Sequence, residues 1–337
     1  MLWVITAIGA VGGAAILGAL IVWARRFSRL PPLEHDDMER RNASLHVWFD
    51  PRTRTVLPGD SFAFLAPTML VGVMPLLFVT GSAPVGMRDP DVVATAARST
   101  PARVAAAGDI ACDPDGTGFN GGKGTETTCH MNATADLLVA GDYDAVLTLG
   151  DNQYNSGTAS EFEDSYDPSW GRVKDITYPS VGNHEYGTPG ASGYFNYFGE
   201  AAGDPDKGYY SFDVGSWHVI ALNSNCARVR GGCGAGSPQE KWLRADLAAH
   251  PTACTAAFWH HPRFSSGHDG NSKFVRAFWK DLYRGGAELV LSGHSHDYER
   301  FAPQDQRGRL KRRLGVRQFV VGTGGAFLHR LQRAGRE

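Results

Sequence analysis

Ala145-Val146-Leu147-Thr148-Leu149-Gly150-Asp151-Asn152-Gln153-Tyr154 passes from an apolar run, through one glycine, into a cluster of polar side chains. A short apolar run ended by a turn residue is the pattern of a strand buried on both faces. The same form recurs on either side of it. Residues 104–108 run into Asp109-Ile110-Ala111, residues 255–259 into His260-His261-Pro262, and residues 288–292 into Gly293-His294-Ser295-His296. A fifth polar group, Gly182-Asn183-His184-Glu185, lies in a glycine-bounded loop. Between the runs, residues 126–140, 238–249 and 272–284 have helical spacing with polar faces, and Ser237 with Glu240 reads as a capping box. Residues 208–223 read differently: two apolar-alternating stretches around Gly215 predict an antiparallel hairpin. Strands alternating with helices predict a layered α/β sandwich whose sheets are covered by helices. Ligands in such folds collect beyond the carboxyl ends of strands, where these polar clusters fall.

Taken singly, each cluster is weak. A Gly-Asp after a strand is usually a turn, and paired histidines on irregular segments are usually structural or solvent-exposed. Together they bring carboxylate, phenol, amide and imidazole groups to equivalent strand ends, a set suited to cations that take mixed oxygen and nitrogen ligands.

At these residues the chain resembles the metallophosphoesterase (calcineurin-like) superfamily, whose motifs run in the order Asp, G-D, G-N-H-[ED], His, G-H-x-H. Tyr154 completes G-D-x-x-Y, which is similar to the purple acid phosphatase branch, and the resemblance covers about residues 103–325. It implies a four-layer α/β/β/α sandwich with mixed sheets and a two-metal phosphoester hydrolase. Carried onto this sequence, it gives one metal Asp109, Asp151, Tyr154 and His296, and the other Asp151, Asn183, His260 and His294, with Asp151 shared. It implies Fe(III) at the Tyr154 position and Fe(II), Zn or Mn at the second. His184 is then the catalytic acid or phosphate clamp, with ring orientation as its plainer role, and His268 is a second substrate-facing histidine. His261 reads as a neighbour without a metal role. The first motif departs from the commoner Asp-x-Gly or Asp-x-His, since Ala111 removes a histidine that other branches use. The substrate is expected to be a phosphate monoester, with a phosphodiesterase or nucleotidase as the alternative within the superfamily. A membrane-tethered, non-catalytic metal-binding module is the alternative outside it.

The ends of the chain read otherwise. Residues 1–24 carry no charged side chain and end against Arg25 and Arg26, long enough as a helix to cross a bilayer, with a secretory signal peptide as the rival reading. A second uncharged stretch predicts a span over 61–83, with 25–60 as an arginine-rich cytoplasmic loop and 84–102 as a linker. The catalytic domain, 103–337, then lies outside the cytoplasm at the cell membrane. After Gly325 the tail is basic and strand-poor, so the domain is expected to be incomplete at one sheet edge. Five cysteines are present, and Cys112 with Cys129 and Cys226 with Cys233 could pair in an oxidising compartment. With 33 basic against 35 acidic residues the net charge is −2, and no basic stripe argues for a nucleic-acid partner.

Overall fold

The computed structural model describes residues 102–251 and 254–329, together with the backbone of two short antiparallel strands, β1 (Val47–Asp50) and β2 (Thr55–Pro58). The predicted spans at 1–24 and 61–83 lie outside the described residues. Among the described residues no helix is long and apolar enough to cross a membrane.

Two sheets form the centre. β3 (Val104–Ala107), β4 (Ala145–Leu149) and β5 (Thr177–Ser180) pair in that order, all parallel. The second sheet holds β6 (Tyr210–Val214), β7 (Trp217–Ala221), β8 (Cys254–Phe258), β9 (Leu289–Ser292), β10 (Tyr298–Arg300) and β11 (Arg317–Val321). Its order is β10-β11-β9-β8-β7-β6, parallel in the middle and antiparallel at both edges. The larger sheet is therefore mixed, and the smaller one is parallel among the described residues. The three strands of the smaller sheet are joined through helical segments, and such crossovers make neighbours parallel.

Side-chain alternation assigns the layers. Along β4, Ala145, Leu147 and Leu149 face the second sheet while Val146 faces the opposite way. Along β7, Trp217, Val219 and Ala221 face the first sheet, and Ile220 faces outward. With a side-chain period of two, both sheets need an apolar cover on each face. The cover on the first is α1 (Met131–Ala140) with α2 (Ser192–Phe198) and the helical turns between them, through Met131, Leu138, Phe162, Trp170 and Tyr194. On the second it is α3 (Pro238–Ala249) and α4 (Arg276–Gly285), through Leu243, Phe278, Trp279 and Leu282. The result is the four-layer α/β/β/α order.

Local chemistry explains the boundaries. Ser237 Oγ accepts from Glu240 N at 3.2 Å, and Pro238 occupies the first turn, so α3 begins where the sequence placed it. The return arm differs from a full capping box, because Glu240 Oε2 accepts from Gly236 N at 3.0 Å. α1 starts at Met131 rather than at residue 126. The Cys112–Cys129 disulfide and the left-handed Cys129, at φ 64°, hold the preceding residues in a loop. Cys226–Cys233 is the other disulfide, and Cys254 is the one free cysteine among the described residues. The sequence reading also missed β5, β10 and β11.

Candidate metal centre

The loops after β3, β4, β5, β8 and β9 meet at one end of the two sheets. Backbone hydrogen bonds lace the first two loops together: Asp109 N donates to Gly150 O, Ile110 N to Asp151 O and Ala111 N to Asn152 O, all within 3.0 Å. The chain then folds so tightly that glycine is required at the crossings. A Cβ on Gly182 would lie 2.1 Å from the Asp151 carboxylate, and one on Gly293 would lie 2.6 Å from that of Asp109. Asp109, Asp151 and His294 take φ of 60°, 45° and 69°, a left-handed backbone that side chains other than glycine adopt at a cost and that clusters at functional sites.

All seven residues singled out as metal ligands come together, and they divide into two groups. Tyr154 Oη lies 3.0 Å from Asp109 Oδ1, 2.9 Å from His296 Nε2 and 3.2 Å from Asp151 Oδ2. His260 Nε2 lies 3.2 Å from the same Asp151 Oδ2, 2.9 Å from Asn183 Oδ1 and 3.2 Å from His294 Nδ1. One carboxylate oxygen is thus shared by both groups. Asp109, Asp151, Tyr154, His260 and His296 are buried, and Asn183 stands on the exposed side.

Each ring is aimed by its far nitrogen. His260 Nδ1 donates to Leu149 O at 2.9 Å and His296 Nδ1 to Phe327 O at 2.7 Å, so both rings turn Nε2 inward. Those inward nitrogens meet carboxylate oxygens, an amide oxygen and another imidazole. Lone pairs converging at such distances need positive charge between them, supplied either by protons or by cations. The donor set therefore fits bound metal ions.

Without metal, protons carry that charge. Burial alone would lower the His260 imidazole, but the facing Asp151 outweighs it and pushes the pKa up to about 9. Burial is likewise overcome at His296, where Asp109 raises the value to about 9. Burial would raise Asp151, yet His260 and His184 hold it well below the usual carboxylate range. His294 goes the other way, down to about 4, through burial and the His260 charge. Burial and the two aspartates keep Tyr154 a neutral phenol far above its ordinary value. A cation would replace the phenol proton and those on the two rings together.

His184 lies beside this group. Its ring Nδ1 is 2.6 Å from Asn155 O, and its Nε2 stands 3.9 Å from Asp151 Oδ2 on a side chain 31% exposed, so it can reach a substrate. His268 does not join the cluster. It is 60% exposed and a ring further out, with its centroid 5.1 Å from His329, whose own ring stacks on His296 at 4.7 Å. His261 comes nearer than its reading as a bystander implied: its ring centroid is 4.5 Å from that of His294, and burial pushes its imidazole well below the ordinary value.

Three neighbours support the ligands without having been assigned a ligand role. Buried Glu185 accepts from Gln153 N at 3.1 Å and Gly182 N at 2.6 Å, tying the Asp151 loop to the Asn183 loop. Burial and the nearby Asp151 charge raise its pKa to about 8. Asp297, buried behind His296, is pushed up to about 7 by burial and the charge of Glu299. His329 is tied back through its N–H to His296 O at 2.8 Å. Glu185 was legible as the last letter of G-N-H-E and Asp297 as the residue directly after G-H-S-H, whereas nothing in the local sequence marks His329.

The fold and the donor-bearing loops are those of the calcineurin-like phosphoesterase class. The profile described as Calcineurin-like phosphoesterase matches residues 102–298, and the chain belongs to that family. Its relatives include purple acid phosphatase 15 of Arabidopsis thaliana, 27% identical over 239 residues, covering 60% of this chain and 41% of that protein. Acid phosphatase type 7 of Danio rerio is 27% identical over 218 residues, covering 54% of this chain and 47% of that one. The purple acid phosphatase of yellow lupin (Lupinus luteus) seeds superposes with a TM-score of 0.55 at 18% identity, over 69% of this chain and 46% of its own. These matches lie on the purple-acid-phosphatase-like branch, and the chain spans less than half the length of each of the three.

Proposed function

We propose that this chain hydrolyses phosphate monoesters with two metal ions held around Asp151. The observation that carries the reading is the sharing of Asp151 Oδ2 between the Tyr154–Asp109–His296 group and the His260–Asn183–His294 group. Tyr154, Asp109 and His296 would hold one cation, and Asn183, His260 and His294 the other, with Asp151 common to both. A phenolate is a hard anionic donor that favours Fe(III), and Fe(II), Zn or Mn suits the second position. Bound there, the cations would polarise the phosphoryl group and acidify a water.

The remaining work falls to the chain. Asp151 Oδ1 accepts from His184 N at 2.9 Å, which fixes the His184 loop against the shared carboxylate. With Nδ1–H donating to Asn155 O, His184 presents Nε2 to the opening, placed to give a proton to the leaving oxygen. Glu185 keeps the two loops in register through backbone N–H groups, and His268 stands at the rim for contact with the substrate. Side-by-side turnover of aryl phosphate mono- and diesters by metal-loaded protein tests the proposal. A preference for the diester would move the reading to a phosphodiesterase, and no turnover of either would favour a metal-binding module.

The apolar stretches 1–24 and 61–83 support tethering to a membrane, with the catalytic domain outside the cytoplasm. The two disulfides accord with that placement, since such bonds persist in oxidising compartments.

A further inference from the structure

At the opposite end of the larger sheet, a second set of metal-binding side chains meets. β7 alternates, so while Trp217 and Val219 enter the core between the sheets, His218 points outward beneath the last turn of α3. Thr255 of β8 is its register partner, and His260 lies five residues further along that chain. At about 3.3 Å per residue the two sites are roughly 16 Å apart.

His218 is 2% exposed, and both its ring nitrogens meet carboxylates. Nδ1 lies 2.8 Å from Asp213 Oδ1 and Nε2 lies 2.8 Å from Asp246 Oδ2. Asp213 is the residue directly across the β6–β7 hairpin. Asp246 is oriented in turn by Ser211, whose hydroxyl donates to Oδ1 at 2.7 Å. Asp246 lies in the last turn of α3, and His250, the residue that caps that helix, stands 3.9 Å from its carboxylate. The His250 ring stacks on that of His218 at 3.7 Å, 16° from parallel, and is 38% exposed. One ligand atom from each of His218, Asp246 and His250 falls within 4.8 Å of the others.

Two of the three ligands stand ready, and the third must turn: His250 Nδ1 donates to Asp246 O at 2.8 Å and its ring lies flat on that of His218, so coordination swings the part-exposed His250 ring to bring Nε2 inward. With Nδ1–H donating to the Asp213 carboxylate, His218 turns its Nε2 lone pair toward Asp246, as ligating histidines do when a carboxylate holds the far nitrogen. Two lone-pair bearers at 2.8 Å need a proton or a cation between them. Tetrahedral ligands at about 2.0–2.2 Å from a cation stand roughly 3.4 Å apart, so coordination opens this pair from 2.8 Å by about 0.6 Å. Two imidazoles and one carboxylate suit zinc-class ions rather than calcium or magnesium.

We propose that His218, Asp246 and His250 form a separate site for a zinc-class divalent cation, with Asp213 orienting His218, which pins α3 to the β6–β7 edge. It is independent of the catalytic reading, and its test does not use activity as its readout. The full chain, stripped with chelator, is titrated with Zn²⁺ while bound metal per chain and melting temperature are followed. His250→Ala is the main variant, since its partly exposed ring can be lost without opening the core. It should bind one fewer zinc than the parent and lose part of the zinc-induced rise in melting temperature. Asp213→Asn should keep the site and weaken it about ten- to hundredfold. In an Asp151→Asn background the difference of one zinc made by His250→Ala should persist. Equal zinc content and equal zinc-induced stabilisation with and without His250 would overturn the proposal, leaving Asp213–His218–Asp246 as a hydrogen-bonded structural triad.

Discussion

Replacing Asp151 with asparagine removes one negative charge from the oxygen that both halves of the centre share. In the metal-free protein, Oδ2 faces His260 Nε2 and Tyr154 Oη, each at 3.2 Å. A charge-assisted hydrogen bond of this kind contributes about 1.5–3 kcal/mol. The loss has a ceiling, because His260 can shed its proton. With its pKa near 9, doing so at pH 7 costs two units, about 3 kcal/mol. The metal-free variant should therefore be about 2–3 kcal/mol less stable to urea. The pH profile should change as well. The raised His260 value contributes stability that is full below about pH 6.5 and is lost as pH rises through 9, while the depressed Asp151 value contributes stability present above about pH 4 and lost as pH falls below it. The parent should show this plateau under chelator, and the variant should keep only the smaller high-pH fall that the raised His296 value supplies. With metals at a hundred times their dissociation constants, each bound ion adds about 2.7 kcal/mol to the parent, so loss of both adds roughly 5 kcal/mol to the difference. Metal analysis, urea melts with and without chelator, and aryl phosphate hydrolysis are the assays. If Asp151→Asn keeps one metal at parental affinity, the shared-carboxylate reading is wrong.

The other predictions follow from the same geometry. His184→Ala should leave both metals bound and slow hydrolysis about 10²–10⁴-fold, less for good leaving groups; equal losses across leaving groups would point to phosphate clamping instead. Tyr154→Phe should abolish the visible charge-transfer band of oxidised, iron-loaded protein while the fold survives, and a parent that binds two irons yet stays colourless would refute the Tyr154 assignment. Reducing Cys112–Cys129, which closes a separation of 17 residues, should cost about 3 kcal/mol in denaturant melts, and no change would show that the loop is held by its packing alone. Reporter fusions after residue 95 should be active only outside the cytoplasm, and a fusion active in the cytoplasm would refute the membrane topology.

What the sequence determined by itself is the chemistry carried by local pattern. The apolar runs before Asp109, Asp151, His260 and His294 are strands because buried parallel strands need side chains that pack on both faces. The hairpin around Gly215 and the start of α3 at Ser237 were equally legible, since turn and capping chemistry act within a few residues. The G-D-x-x-Y and G-N-H-E spacings named the residues that meet.

Tertiary structure decided what depends on distant parts of the chain. That one oxygen of Asp151 serves both groups follows from how five loops cross, with glycine required where backbone meets carboxylate. The delayed start of α1 came from a disulfide partner at Cys112, and no helical periodicity encodes that. His329 reached the site because β10 and β11 carry the following segment back over His296. His218 looked like one polar position in a hairpin. Only the packing of α3 on β7 set Asp246 and His250 against it, because the last turn of a helix meets a strand only where the two elements cross.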